Sequence, residues 1–231
     1  MTSRFRSSLG LMGGTFNPVH LGHLRAAEEI RERLKLDKIV FMPAATPPHK
    51  GLTDLASFDD RLEMLRLAIE DRKPVFELSD LEGKLVPPNY TAHTLKVMTS
   101  GPNTDHHIYF IVGFDSFKNI GSWHDYRSIF TMASLAVYSR HGDEVEPSGL
   151  LETLDCTLGP GSVWAQKDSF FYRNDLLPVY FLKPSLLQIS SSSIRLSLKA
   201  GQSIRYLTPE PVRQYIAARG LYLKTRDKNK A

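Results

Sequence analysis

Residues 13–24 read G-G-T-F-N-P-V-H-L-G-H-L. Just before them, the apolar run Leu9–Met12 stops at Gly13 and Gly14. Just after the turn, Leu21, Leu24, Ala27, Ile30 and Leu34 recur at helical spacing, with Arg25, Glu28, Glu29, Arg31 and Glu32 between them. A short buried strand, a glycine turn and an amphipathic helix open a parallel α/β sheet.

The remaining sequence continues that alternation. I-V-F-M (39–42), V-F-E-L (75–78), I-Y-F-I-V (108–112), L-A-V-Y (135–138) and V-Y-F-L (179–182) read as strands. Helical patterns run from about Asp59 to Asp71, with Leu62, Leu65, Ala68 and Ile69 on one side, and from Thr91 to Met98. Another, with Phe114, Phe117 and Ile120, follows Gly113. I-S-S-S-S-I-R (189–195) opens a helix reaching Lys199, and Thr208 and Pro209 read as N-cap and first residue of a last helix that Gly220 stops. The stretch from His141 to Pro178 has little periodicity. Strands separated by helices imply parallel pairing through right-handed crossovers. The expected fold is α/β: one doubly wound, mostly parallel, Rossmann-like sheet with helices on both faces and a small C-terminal helical portion. One domain over 1–223 would hold the site at the carboxyl ends of its strands.

With 231 residues, the chain can bury a sizeable core, and 42% hydrophobic and 23% charged residues are ordinary for a globular protein. No apolar run approaches the ~20 residues of a membrane span, and no signal-peptide core follows Arg4 and Arg6. A single cysteine, Cys156, cannot make an intrachain disulfide, so a reducing cytoplasm is expected. The net charge is +4, of which residues 224–231 supply +3 and Arg4 with Arg6 supply +2, leaving the body near −1. The basic tail reads as a solvated, disordered end, and neither a nucleic-acid nor a membrane partner is expected.

The glycine turn lies where a nucleotide phosphate approaches the backbone of such a sheet. Glycines permit positive φ and close approach, and the next helix N-terminus offers N–H groups and partial positive charge. Neither G-K-[ST] nor G-x-G-x-x-G is present, so the common phosphate loops do not explain it. His20 and His23, three apart, would share one helical face and could donate to phosphate oxygens. An isolated H-x-x-H is more often one packed and one solvated histidine, and a zinc site lacks further ligands in sequence. Four serines, Ser190 to Ser193, exceed what a helix cap needs and, with Arg195, make a phosphate cradle. Asp115 reads equally as a cap or as an acceptor for ribose hydroxyls, Trp123 as core or as a stacking surface, and Thr91 as a plain cap or a carboxylate site. His49 and Lys50 read as a solvated basic loop or a phosphate grip.

Taken together, G-G-T-F-N-P-V-H-L-G-H-L with His20-Leu21-Gly22-His23 resembles the first motif of the H-x-G-H nucleotidyltransferases. P-P-H-K (47–50), N-Y-T-A-H-T-L (89–95), I-V-G-F-D-S-F (111–117), Trp123, the serine run and L-T-P-E-P-V-R-Q-Y-I-A-A-R-G-L-Y (207–222) follow in order. That series resembles the bacterial nicotinate-nucleotide adenylyltransferase family. The resemblance implies transfer of the adenylyl group of ATP to nicotinate mononucleotide, with Mg²⁺ arriving on the ATP phosphates and no metal held by protein side chains. It implies catalytic roles for His20, His23 and Arg195. ATP would be bound by Gly13, Gly14, Thr15, Phe16, Gly113, Asp115, Ser191 and Ser193, and the mononucleotide by His49, Lys50, Thr91 and Trp123. Arg140 is a further, lesser nucleotide-binding candidate. The usual serine motif has threonine or alanine among its positions, and tyrosine often follows the tryptophan where this chain has His124. A carboxylate at the Thr91 helix start favours the acid over the amide. The rival readings are the same chemistry on nicotinamide mononucleotide or another phosphate acceptor, and a nucleotide-binding regulator without turnover. A homo-oligomer is left open.

Overall fold

A computed structural model describes residues 7–47, 54–100, 105–139, 147–165, 170–185 and 187–223. Eight strands form one sheet in the order β3-β2-β1-β4-β5-β8-β7-β6. They are β1 Ser7–Gly14, β2 Lys38–Pro43, β3 Phe76–Leu78, β4 His106–Gly113, β5 Ser134–Tyr138, β6 Val163–Ala165, β7 Phe170–Arg173 and β8 Leu176–Leu182. From β3 to β8 every pairing is parallel, while β7 and β6 extend the β8 edge antiparallel. All six strands expected from sequence are present. The helices are α1 Leu21–Leu34, α2 Phe58–Ile69, α3 Leu81–Lys84, α4 Thr91–Met98, α5 Phe114–Phe117, α6 Tyr126–Met132, α7 Pro147–Leu158, α8 Ser191–Lys199 and α9 Glu210–Arg219.

Strand period two divides the core between the two faces. Leu11, Val40, Met42, Ile108, Phe110, Val112, Leu135 and Val137 face Leu95 of α4, Ile129 and Phe130 of α6, and Leu150 and Leu154 of α7. Their neighbours Met12, Ile39, Phe41, Ile111 and Ala136 face Ile30 of α1, Met64 and Leu65 of α2, Ile194 of α8 and Val212 of α9. Gly10 lies where β1 meets this second layer, and a Cβ there would stand 2.5 Å from Ile39 Cδ1. The C-terminal helices α8 and α9 thus complete one face of the sheet.

Several boundaries differ from the sequence reading. Gly13 and Gly14 end β1, paired with Met42 and Pro43, and the turn begins at Thr15. The positive φ of that turn belongs to Phe16, at 48°, not to either glycine. A bulky residue in that region costs roughly 1–3 kcal/mol, and full burial of the Phe16 ring against Phe41 holds it there. Helix α2 buries Arg61, Met64, Leu65, Ala68 and Ile69, so its apolar stripe begins on an arginine and leaves Leu62 half-buried. Pro209 is the N-cap of α9, because the Thr208 hydroxyl donates to the Val19 carbonyl 2.9 Å away. Gly220 closes α9 at φ 61°, as expected. The aperiodic stretch after His141 holds α7, β6 and β7. No helix among the described residues is long and apolar enough to cross a membrane.

Candidate active site

The strand order reverses between β1 and β4, and a doubly wound sheet binds its ligand in the crevice at that switch point. Gly14 ends β1 on one side and Gly113 ends β4 on the other, so the sequence-expected turns stand on both lips of the crevice. A Cβ on Gly14 would meet the Phe16 ring at 3.1 Å, so this glycine admits the folded-back phenyl group. A Cβ on exposed Gly13 would meet only the Phe110 ring, at an ordinary 3.7 Å. The fold itself makes little use of the absent side chain at Gly13, and an approaching ligand would.

His20 and His23 do not share a helical face in the expected way. His20 is the N-cap of α1, with extended backbone at φ −145° and ψ 168°, and His23 is the third helical residue. Leu21 N–H donates to the Leu207 carbonyl at 3.0 Å, which fixes where the helix begins. His20 N–H donates to Nδ1 of His23 at 3.2 Å. Nδ1 of His23 is therefore an acceptor, and the neutral ring carries its proton on Nε2. The two rings stack with centroids 3.6 Å apart, and Phe16 meets His23 edge-on at 5.1 Å. Gly22 makes room for this stack, since a Cβ there would lie 3.0 Å from Nδ1 of His20.

Helix α8 brings its N-terminus against the same turn. Ser191 Oγ donates to the Pro18 carbonyl at 2.8 Å, and Arg195 Nη1 donates to the Asn17 carbonyl at 2.7 Å. Ser190 and Ser193 form a reciprocal capping box, in which Ser193 Oγ donates to the Ser190 carbonyl at 2.8 Å. The hydroxyl protons of Ser191 and Ser193, assigned to phosphate on resemblance, thus point to main-chain carbonyls here. What the cradle presents instead is the N–H groups of Ser191 and Ser192 and the Arg195 guanidinium, since the Ser193 N–H donates to Ser190 Oγ at 3.0 Å. Arg195 Nη2 donates to Ser192 at 3.2 Å, while its buried Nε has no acceptor within the described protein.

Asp115 is not a cap: Gly113 takes that position, and the Asp115 carboxylate is exposed, 3.6 Å from Lys118. Thr91 is not a cap either, since Tyr90 is the N-cap of α4 and Thr91 its first residue. Tyr90 stacks on His124 with centroids 4.2 Å apart, and neighbouring Trp123 stands edge-on to Phe110 at 6.2 Å. The α4 N-terminus and the Trp123 segment are therefore adjacent, with His124 occupying the face of Tyr90. His49, Lys50 and Arg140 lie outside the described residues. Cys156 is exposed and free.

Two buried groups behind the turn escaped the sequence reading. Asn17 Oδ1 accepts from the Ala56 N–H at 3.0 Å and the Tyr222 hydroxyl at 2.7 Å, and its Nδ2 donates to the Asp54 carbonyl at 2.9 Å. Burial pushes the Tyr222 phenol well above its ordinary range. Arg61, 1% exposed, donates to the carbonyls of Thr15, Ala44, Ala45 and Ala56. Its signal in sequence was its place on the apolar stripe of α2. Glu82 accepts from the Ala45 N–H at 3.1 Å, and burial raises its carboxyl pKa despite that bond. No cluster of three or more His, Cys, Asp or Glu suited to a metal occurs among the described residues. The site thus offers donors and positive charge, which suit phosphate oxygens; a metal cation would have to be held by those oxygens rather than by these side chains.

The cytidylyltransferase-like family matches residues 11–197. A probable nicotinate-nucleotide adenylyltransferase of Geotalea daltonii is 42% identical, over 93% of this chain and 97% of its own. Another, of Syntrophotalea carbinolica, is 41% identical over 93% and 96%. Among solved structures, the Plasmodium falciparum nicotinic acid mononucleotide adenylyltransferase complexed with NaAD superposes with a TM-score of 0.70 at 19% identity, covering 94% of this chain and 97% of that one. A Vibrio parahaemolyticus putative nicotinate-nucleotide adenylyltransferase gives 0.63 at 17% identity, over 95% and 97%. At such identities the structural likeness speaks to the fold.

Proposed function

The chain belongs to the nicotinate-nucleotide adenylyltransferases of the cytidylyltransferase-like family, and from that membership we propose that it transfers the adenylyl group of ATP to nicotinate mononucleotide. A 5′-phosphate oxygen of the mononucleotide attacks the α-phosphorus of ATP. The bond to the β-phosphate oxygen breaks, pyrophosphate leaves with the electron pair, and nicotinic acid adenine dinucleotide forms. ATP enters as its Mg²⁺ complex, whose cation offsets phosphate charge. No protein nucleophile takes part, so catalysis is positioning and electrostatics.

The observation that carries this reading is the convergence of donors on one turn. His23 donates from Nε2 to a phosphate oxygen, and His20, stacked against it, holds that ring and faces the same phosphates. Arg195 and the α8 N-terminus take the β- and γ-phosphates, where charge builds as pyrophosphate departs. Ser191 serves through its main-chain N–H, while Ser193, whose own N–H donates to Ser190 Oγ at 3.0 Å, keeps the cradle in shape together with the two hydroxyls. The turn at Gly13, Gly14, Thr15 and Phe16 lets the nucleotide approach, and Gly113 and Asp115 meet the ribose from the opposite lip. Trp123 stacks on the pyridine ring, the α4 N-terminus at Thr91 receives its carboxylate, and His49 with Lys50 holds the mononucleotide phosphate. We place the reaction in the cytoplasm and assign residues 1–223 to one domain; the tail expected at 224–231 lies outside the described residues.

The test is pyrophosphate release from Mg·ATP with nicotinate mononucleotide, with nicotinamide mononucleotide and with no acceptor, confirming the dinucleotide by mass. Release dependent on the nicotinate compound supports the reading. Equal rates with both acceptors retain the reaction and remove the Thr91 argument. Release with neither leaves a nucleotide-binding protein without this turnover.

A further inference from the structure

Arg61 is a fully buried cation whose acceptors are all main-chain carbonyls, drawn from three separate segments. Nη1 donates to Thr15 at 3.0 Å and Ala44 at 2.7 Å, Nη2 to Ala45 at 3.4 Å and Nε to Ala56 at 3.2 Å. Thr15 begins the phosphate turn. Ala44 and Ala45 are the exit of β2, where Ala44 N–H also donates to the Gly14 carbonyl at 2.9 Å. Ala45 is held from its other side too, because its N–H donates to Glu82 Oε2 at 3.1 Å. The second oxygen of Glu82 accepts from the Thr94 hydroxyl at 3.5 Å, one turn into α4, whose N-terminus carries Thr91. A continuous polar path therefore runs Thr15–Arg61–Ala45–Glu82–Thr94, from the ATP side of the crevice to the pyridine side.

A guanidinium is planar and holds its five N–H groups in fixed directions. Thr15 cannot shift relative to Ala44, Ala45 and Ala56 without stranding a buried donor or carbonyl, and a stranded buried polar group is expensive. Phosphate binding that tightens the turn at Thr15 is thereby passed to Ala45 and on to α4.

Resting on the two-substrate reading above, we propose that Arg61 and Glu82 are positioning residues that tie the phosphate turn to the pyridine-side helix, so that filling either substrate subsite favours filling the other. Neither touches a reacting atom. A purely structural role would lower the melting temperature and the folded fraction, yet leave this mutual effect intact in the molecules that fold.

The experiment measures the Kd of nicotinate mononucleotide by calorimetry, alone and with a saturating α,β-methylene analogue of ATP. In the wild type the analogue tightens binding by about tenfold, within the usual range of coupling between sites. In Arg61→Lys, whose ammonium cannot reach four carbonyls, that factor falls below about twofold, while the Kd of the analogue alone changes less than about threefold. Should Arg61→Lys not fold, Glu82→Ala carries the same expectation from a half-buried position, and Glu82→Gln, which keeps an acceptor facing Ala45, restores part of the factor. An unchanged factor in folded Arg61→Lys or in Glu82→Ala overturns the proposal, as does a wild type whose ligands bind independently while it still makes dinucleotide. A wild type that makes no dinucleotide overturns the function reading, and this inference with it.

Discussion

The imidazole of His20 lies on that of His23, with ring centroids 3.6 Å apart and planes 25° from parallel. Since Nδ1 of His23 already accepts a main-chain N–H, His23 contributes a neutral Nε2–H donor. His23→Ala is expected to lower kcat by about 10²-fold or more, the scale of losing one preorganised donor to developing charge. His20→Ala is expected to lower kcat by about tenfold or more, because His20 also supports the His23 ring. Steady-state turnover on folded variants checks both, and near-normal kcat in either removes that histidine from the assignment.

Gly22 separates the pair, and any Cβ there presses on the His20 ring at 3.0 Å. Gly22→Ala should therefore displace His20 while leaving α1 helical, since alanine is a better helix former than glycine. The expected result is a kcat reduced about tenfold with the melting temperature nearly unchanged. A comparable fall in stability instead would mean that the glycine serves packing alone.

Arg195 has one Nη on the Asn17 carbonyl and a buried Nε without an acceptor in the described protein. Arg195→Lys keeps the charge and loses the fork. It should lower kcat/KM for ATP by about 10–100-fold, with KM for the mononucleotide little changed. Initial rates across both substrate concentrations separate these effects. An equal loss in the two KM values would argue for general distortion.

Glu28 ties α1 to the turn after α2: Arg72 donates to it at 2.7 Å and Arg31 at 2.9 Å. The Arg72 hydrogen bond, more than any other influence, holds its carboxyl near a pKa of about 2, below the ordinary 4.5. The folded pKa is depressed, so the stabilisation is present above about 4.5 and is lost as pH falls toward about 2. Arg72 is half-exposed, so solvent screening reduces the contribution to about 1 kcal/mol. Glu28→Gln should lower the melting temperature by about 2–4 °C at pH 7. The difference should disappear near pH 2, and a pH-independent difference would trace the effect to packing.

Much of the architecture was legible because its parallel strands are continuous apolar runs closed by glycine, proline or a polar residue. β4 is the clearest, with I-Y-F-I-V ending at Gly113. β6 and β7 were not, because strands of three and four residues gain their identity from antiparallel neighbours rather than from their own pattern. In the site, the letters H-L-G-H were readable, but the helix boundary between His20 and Leu21 was not. It depends on Leu207 accepting the Leu21 N–H from a distant segment. Thr91 and Thr208 look like caps because threonine caps well, yet Tyr90 and Pro209 occupy those positions. Arg61 was hidden by habit: a charged residue between Asp60 and Leu62 reads as solvent-facing, although its spacing to Met64, Leu65 and Ala68 puts it on the buried stripe.

Asn17, at the centre of the turn after β1, receives the hydroxyl of Tyr222 across 205 positions of chain. Protein synthesis runs from the amino end, so this turn is made long before Tyr222 and waits for it. Until residue 222 has emerged, the Asn17 amide lacks that donor, however early the surrounding strands have paired. The turn is thus finished by a segment far along the chain, and a chain broken before α9 could fold much of its sheet while leaving Asn17 without the Tyr222 hydroxyl.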